Sequence, residues 1–218
     1  MAGLIIALYR ILGNILIWPA ALMLCRHPNF RSTISQRLGM RLPCVPVGRE
    51  VLWIHAASVG EVKAAAGLVK AIRAHRPEIC ICMSSVTVTG RDVAKRIPEI
   101  DMIIPFPFDL AWVMRRYLLR LQPKMLMIVE TELWPNMILM ADRLGIPVAF
   151  VNARMTSRSY NRYAKIRSVI RRVLKNVSVF AIAQSDGQHY SALGARSVEV
   201  LGNLKLDNVR DIDSKKRK

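Results

Sequence analysis

Residues 51–75 read VLWIHAASVGEVKAAAGLVKAIRAH, and the order of their parts decides the fold. Residues 51–57 form a short apolar run that suits a buried strand. A turn of small residues follows, and from residue 61 to residue 75 apolar side chains recur at helical spacing. Ser58 precedes Glu61 by three positions, the spacing of a capping box in which the serine oxygen and the glutamate side chain satisfy the first free N–H groups of a helix. Strand, tight turn and capped helix together are the first unit of an α/β layer structure.

The same unit recurs along the chain. Apolar runs at 79–84, 102–105, 125–129, 148–152, 179–183 and 198–201 read as strands. Helix-length amphipathic stretches lie between them at 90–97, 110–121, 135–144, 157–175 and 187–193. This alternation predicts a parallel sheet with helices on both faces, with ligands beyond the carboxyl ends of the strands. No internal repeat is evident.

Upstream of this layer, residues 4–25 are apolar for about the length that crosses a bilayer, and Arg10 is their one charge. Arg26 and Arg31 follow directly and no small-residue cleavage site is present, which argues for a retained anchor over a cleaved signal. The basic flank of Arg26, Arg31, Arg37, Arg41 and Arg49 places the rest of the chain on the cytoplasmic side if the segment spans. Arg10 and Pro19 leave open a helix that lies in the membrane interface instead. The expected organisation is an anchor at 1–25, a basic juxtamembrane linker at 26–50, the α/β domain at 51–207 and a basic tail at 208–218.

Charge restricts the partner. The 33 Lys and Arg against 15 Asp and Glu give a formal charge of +18, so an anionic surface or ligand is expected. Nucleic acid is disfavoured, because the cations are not interleaved with exposed aromatics and the apolar segment has no place in such a module. The four cysteines, Cys25, Cys44, Cys80 and Cys82, show neither a second C-x-x-C nor a nearby histidine pair. Cys80 and Cys82 fall on one face of a single strand, which suits reduced structural thiols.

Four stretches could carry chemistry. At the end of the first strand, Gly60 lets a substrate approach the backbone and Glu61 either completes the cap or acts as general base on an acceptor hydroxyl. The helix N-terminus would favour its ionised form. In VETELWPN, residues 129–136, Glu130 and Glu132 alternate along an extended segment and so face opposite sides, one toward a site and one toward structure. In SSVTVTG, residues 84–90, Thr89 and Gly90 stand at a strand-to-helix junction suited to an anion or a sugar, or to a plain cap. From Arg154 to Lys175 eight cations occur in 22 residues without a carboxylate. Arg158, Arg162 and Lys165 share one face of the expected helix and Arg167, Arg171 and Lys175 another, with Tyr163, Ile166, Ile170, Val173 and Val177 as the apolar stripe. Phosphate or an anionic leaflet is the expected contact.

Read together, these stretches resemble the Kdo (3-deoxy-D-manno-octulosonic acid) transferase family. The matching pieces are WIHAASVGEV at 53–62, VTVTG at 86–90, PFD at 107–109, ETELWPN at 130–136, VNAR at 151–154, RSYNRY at 158–163 and LGNLKLD at 201–207. The resemblance implies the N-terminal, Rossmann-like domain of a GT-B glycosyltransferase, on the cytoplasmic face of the inner membrane. It implies inverting transfer of Kdo from CMP-Kdo to the lipid A precursor, without a metal or other cofactor. Glu61 matches the family's proposed base and Glu130 a second essential acid, with Glu132 close by. Ser58, Gly60, Thr89, Gly90, Arg154, Arg158, Arg162 and Lys165 are the expected acceptor-binding residues. Met155 and Thr156 stand where the family commonly has Leu-Ser. Relatives continue well beyond this length and carry most of the CMP-sugar site there, so a truncated or split enzyme is expected. The other class in play is a membrane-attached domain that binds anionic lipid without turnover.

Overall fold

The computed structural model describes residues 2–26, 28–130 and 132–204; the expected tail at 208–218 and the end of the LGNLKLD stretch lie outside them. A helix, α1 (Ala2–Arg26), and two short turns, α2 (Pro28–Arg31) and α3 (Ile34–Arg37), lead into the sheet. Then β1 (Val51–His55), α4 (Val59–His75), β2 (Cys80–Ser85), α5 (Val88–Ala94), β3 (Met102–Pro105), α6 (Ala111–Leu121) and β4 (Pro123–Val129) alternate. They are followed by α7 (Pro135–Arg143), β5 (Val148–Ala153), α8 (Ser157–Ala164), α9 (Arg167–Leu174), β6 (Val177–Ala181), α10 (Gln184–Leu193) and β7 (Ser197–Val200).

The strands form one seven-stranded sheet in the order β3-β2-β1-β4-β5-β6-β7. Every pairing is parallel. The chain winds outward from β1 to β3, then returns to the far side of β1 and winds the other way. Strand order therefore reverses between β1 and β4, the topological switch of a doubly wound, Rossmann-like sheet.

Alternate residues of each strand serve opposite faces, so one apolar run supplies two cores. Val51 and Trp53, Cys80 and Cys82, Leu126 and Ile128 join the core under α6, α7 and α9. Leu52 and Ile54, Ile81 and Met83 join the core under α4 and α5. The shared face expected of Cys80 and Cys82 is present, and both thiols are free and buried. Helix α4 forms because Ser58 caps it, an alanine run follows, and Val62, Ala65 and Val69 bury one stripe. It ends at His75 with Arg76 as its C-cap, directly before Pro77, which cannot prolong it.

The expected helix at 157–175 is instead two, α8 and α9, broken at Ile166 (φ −119°, ψ 35°). Like charges at i, i+4 on both halves weaken a continuous helix, and α9 restarts so that Val169, Ile170, Val173 and Leu174 are buried. The predicted apolar stripe is thereby re-phased, leaving Tyr163 half-buried and Ile166 exposed. The second expected cation face dissolves as well: Arg167 donates to the Ala192 carbonyl (2.7 Å), Arg171 lies against Gly194, and Lys175 turns toward α1.

Helix α1 is apolar nearly all round, yet it is docked on the domain. Ile6, Ile17 and Ala21 are buried. Arg10 Nε donates to Asn136 Oδ1 (2.8 Å), and a Cβ on Gly13 would stand 3.3 Å from Leu110. Positions 6, 10, 13, 17 and 21 fall on one helical stripe. The remaining face exposes Leu4, Leu8, Ile11, Leu12, Ile15, Leu16, Trp18, Leu22 and Met23. The helix is long and apolar enough to cross a membrane by length and composition. Nor is Arg37 a surface charge of the linker: it is 2% exposed, with its guanidinium inside the domain.

Candidate active site at the strand switch

The turn after β1 is built around Glu61. Its Oε2 accepts the Ala57 N–H (2.7 Å) and its Oε1 accepts the Ser58 hydroxyl (2.9 Å), while Ser58 Oγ accepts the Glu61 N–H (3.4 Å). This is the expected capping box, with the carboxylate reaching one residue further back than the cap itself. The Ala57 carbonyl in turn accepts from Ser85 Oγ (2.9 Å) and from the backbone of Val86 and Thr87 (3.1 and 3.3 Å), which stitches the ends of β1 and β2 together. Beneath the turn His55 is fully buried and stacked on Phe106 (4.0 Å). Ser84 Oγ receives the Trp53 indole N–H (2.9 Å) and lies 3.0 Å from His55 Nδ1, so one hydroxyl ties both buried rings to the end of β2. Burial holds His55 at a pKa of about 3, hence neutral.

Across the switch, β4 ends at Val129 and Glu130 adopts a left-handed conformation (φ 62°). The strand therefore does not run on through Glu130. Glu130 and Glu132 both act on Glu61. Burial raises the Glu61 pKa, the Ala57 N–H and Ser58 hydroxyl oppose it, and the charges of Glu132 and Glu130 raise it further. Where the helix N-terminus alone would be expected to weaken the basicity of Glu61, desolvation and two neighbouring carboxylates outweigh the turn's donors, and the net direction is upward. Glu132 is raised as well, by burial first and also by Glu130. Its charge also bears on Tyr163 of α8.

The other expected residues line the same edge of the sheet but do not all converge. Gly90 is buried, its N–H bonded to Thr87 Oγ1 (3.0 Å), and a Cβ there would meet Ser85 Oγ at 2.3 Å, so only glycine fits; Thr89 beside it is exposed. Arg158 and Arg162 are exposed one turn apart on α8, Arg162 within 3.5 Å of Ser159 Oγ, and Lys165 follows at its end. Arg154 belongs elsewhere. It lines a cavity of about 610 Å³ beyond β5 and β6 with Thr156, Ser185, Asp186 and His189. There Asp186 accepts the Met155 N–H (2.7 Å) and His189 Nδ1 donates to the Met155 carbonyl (2.8 Å), leaving Nε2 to the cavity.

Sequence reasoning missed three features here. Arg37 donates to the Phe106 and Val86 carbonyls (3.0 and 2.6 Å), and Arg91 sits beside it, 3.3 Å from the Thr87 carbonyl. Burial and the Arg91 charge lower the Arg37 pKa to about 10, and burial lowers that of Arg91. Two guanidiniums thus lie under the Thr87–Gly90 turn, signalled in the sequence only by an arginine directly after Gly90. The third is Asp109, which caps α7 through the N–H groups of Asn136 (3.0 Å) and Met137 (2.8 Å) and fixes the loop bearing Glu130 and Glu132.

Comparison with known proteins gives this arrangement a context. A family model described as 3-Deoxy-D-manno-octulosonic-acid transferase (kdotransferase) matches residues 32–208. A 3-deoxy-D-manno-octulosonic acid transferase of Haemophilus influenzae is 33% identical over 193 residues, 85% of this chain and 44% of that protein. One from Bordetella pertussis is 31% identical over 78% of this chain and 41% of its own length. A bifunctional glycosyltransferase/methyltransferase of Fusobacterium nucleatum is 34% identical over 76% of this chain and 27% of its own. The chain thus spans less than half the length of these relatives. Among solved structures, a UDP-GlcNAc 2-epimerase from Neisseria meningitidis bound to UDP-GlcNAc superimposes with a TM-score of 0.53 at 16% identity, over 76% of this chain and 50% of that one. An S. aureus MnaA–UDP structure gives 0.55 at 17% identity, over 74% and 47%. At such identities these two share the fold alone.

Proposed function

The chain belongs to the 3-deoxy-D-manno-octulosonic acid transferase family, and from that premise we propose that it forms the acceptor side of a glycosyl transfer from CMP-Kdo to the lipid A precursor. The observation that carries the reading is Glu61, buried, raised in pKa and set at the β1/β4 switch where ligands of such sheets bind. In the reaction Glu61 takes the proton of the acceptor hydroxyl as its oxygen bonds to the anomeric carbon of Kdo, and the bond from that carbon to CMP breaks with its electrons leaving on CMP. A raised pKa makes Glu61 a stronger base than an ordinary carboxylate, and Glu132 and Glu130 supply part of that shift.

Acceptor phosphates are assigned to Arg158, Arg162 and Lys165 on α8, and a sugar or phosphate group to Thr89 and Gly90 above the Arg37–Arg91 pair. Ser58 and Gly60 line the approach to the base, and Arg154 serves from the neighbouring cavity. The length of the relatives that this chain does not span is proposed to hold most of the CMP-Kdo site. The docked stripe of α1 supports a helix lying in the cytoplasmic leaflet of the inner membrane, because a helix held lengthwise on a polar domain cannot thread the bilayer without undocking.

The test is Glu61→Gln in a chimera whose donor half comes from the Haemophilus influenzae relative. The amide can still accept the Ala57 N–H and donate to Ser58, so the fold and acceptor binding should persist while turnover falls by roughly 10²- to 10⁴-fold. Near-normal turnover would remove Glu61 from the chemistry. An inactive parent chimera that still binds acceptor would favour the non-catalytic lipid-binding reading.

A further inference from the structure

At the other end of α7 lies a cavity of about 600 Å³ between α1, α7 and α9, lined by Arg10, Arg143, Arg172 and Lys175. Among the described residues none of these four cations lies within 4.0 Å of a carboxylate. Asp142 also lines the cavity, oriented by Asn176 Nδ2 (2.5 Å), and its one negative charge offsets only part of the four positive ones. Among the described residues Arg10 is held by Nε to Asn136, and its buried Nη2 has no hydrogen-bond partner there. The charges of Arg143 and Arg172 oppose its own, and that of Asp109 offsets them in part. Arg172 Nη1 lies 3.6 Å from where a Cβ on Gly3 would be, so α1 brings its smallest residue against this guanidinium. Three further cations around a partly buried arginine with an orphaned donor outnumber the nearby carboxylates of Asp142 and Asp109, and gathering them costs free energy unless a further anion compensates the excess.

We propose that this cavity is a binding site for the phosphate of an anionic phospholipid headgroup. Several oxygens on one small tetrahedral anion satisfy converging guanidinium forks, with Lys175 as a point charge. The wall points to a lipid and not to a soluble phosphate ester: Ala7 and Ile11 line the cavity, and Ile11, Leu8 and Leu4 continue from it as exposed apolar surface on α1. A headgroup in the cavity places its acyl chains along that surface. The site is separate from the Glu61 crevice and rests on the membrane contact of α1, not on the transfer chemistry.

The test is co-sedimentation of the full chain with vesicles of phosphatidylcholine alone or mixed with phosphatidylglycerol. Arg143→Gln with Arg172→Gln should lower the preference for the anionic vesicles by about tenfold or more while leaving phosphatidylcholine binding unchanged. Ala7→Phe, which fills the cavity without altering charge, should lower the same preference. The pair Lys70→Gln with Arg96→Gln, exposed cations on α4 and just after α5, should change it by less than about threefold. Equal losses from both charge pairs, or an intact preference in Ala7→Phe, would show diffuse attraction and overturn the site. Calorimetry with glycerol 3-phosphate separates the sources: binding much weaker than to vesicles is expected, and binding as tight would reassign the cavity to a soluble ester. Failure of wild-type protein to bind phosphatidylcholine would count against the α1 contact itself and leave the Glu61 experiment untouched.

Discussion

Helix α7 has a cluster of like charge at each end, and the two are built in opposite ways. Before its first turn, the charges of Glu130 and Glu132 bear on Glu61, whose carboxylate is held by the Ala57 N–H and the Ser58 hydroxyl. At its last turn, Arg143 meets Arg10, Arg172 and Lys175 around an open cavity, with one arginine nitrogen unpartnered among the described residues. The helix macrodipole favours both arrangements, acids at the start and cations at the end. Burial and hydrogen bonding separate them. At the switch the protein satisfies the charge itself, which fixes its geometry and shifts its affinity for a proton. At the far corner four cations outnumber the carboxylate of Asp142 that lines the same cavity. A closed network suits proton transfer and an open one suits binding.

The largest effect expected from breaking this contrast is kinetic, the loss of roughly 10²- to 10⁴-fold in turnover for Glu61→Gln. The same variant should not lose stability at neutral pH. The folded-state pKa of Glu61 lies above its unfolded value, so its contribution to stability is fully present at low pH and is lost as pH rises through the folded pKa. Above that pH the wild-type protein carries the cost of a buried charge that the Glu61→Gln variant does not. Urea midpoints measured across the acid-to-neutral range should therefore move in favour of Glu61→Gln as pH rises.

Next in size are paired glycine substitutions, which ask how tightly each end is built. Gly90→Ala drives a Cβ to 2.3 Å from Ser85 Oγ and breaks the stitch to the Ala57 carbonyl, for an expected cost of about 1–3 kcal/mol in denaturant unfolding. Gly3→Ala meets Arg172 only at ordinary contact distance and gains helix propensity, so a change within about 1 kcal/mol, neutral or favourable, is expected. Similar costs at both positions would erase the distinction. Smallest is the exposed α8 face, where Arg158→Gln, Arg162→Gln and Lys165→Gln together should weaken binding of the bisphosphorylated acceptor by about tenfold more than binding of its dephosphorylated form. Equal losses for both ligands would show that α8 does not recognise phosphate.

Much of the switch was legible in the sequence because it is local. Ser58-x-x-Glu61 fixes a capped turn through contacts within four residues, and the apolar runs before and after it can hardly be anything but inner strands. Three features were not legible because they depend on contacts far along the chain. The positive φ of Glu130 is set where its N–H reaches Val151 and where Asp109 caps α7, and a Glu-Thr-Glu segment gives no sign of it. Ile166 breaks a helix that has neither Gly nor Pro at that point, because α9 must turn its own apolar stripe onto the core. In α1 an apolar surface on every side conceals the stripe through Ile6, Arg10, Gly13, Ile17 and Ala21 that meets the domain.

The central claim is that Glu61 is a base of raised pKa because its fold buries it among carboxylates, and a direct titration of that side chain tests it. Carbon-detected NMR of the Glu61 carboxyl across pH should give a midpoint above the ordinary glutamate value of 4.5, falling back toward it in Glu132→Gln. A midpoint at or below 4.5 in the wild-type chain would mean that the turn's donors and the helix N-terminus prevail, and the account of Glu61 as the activated base would be wrong.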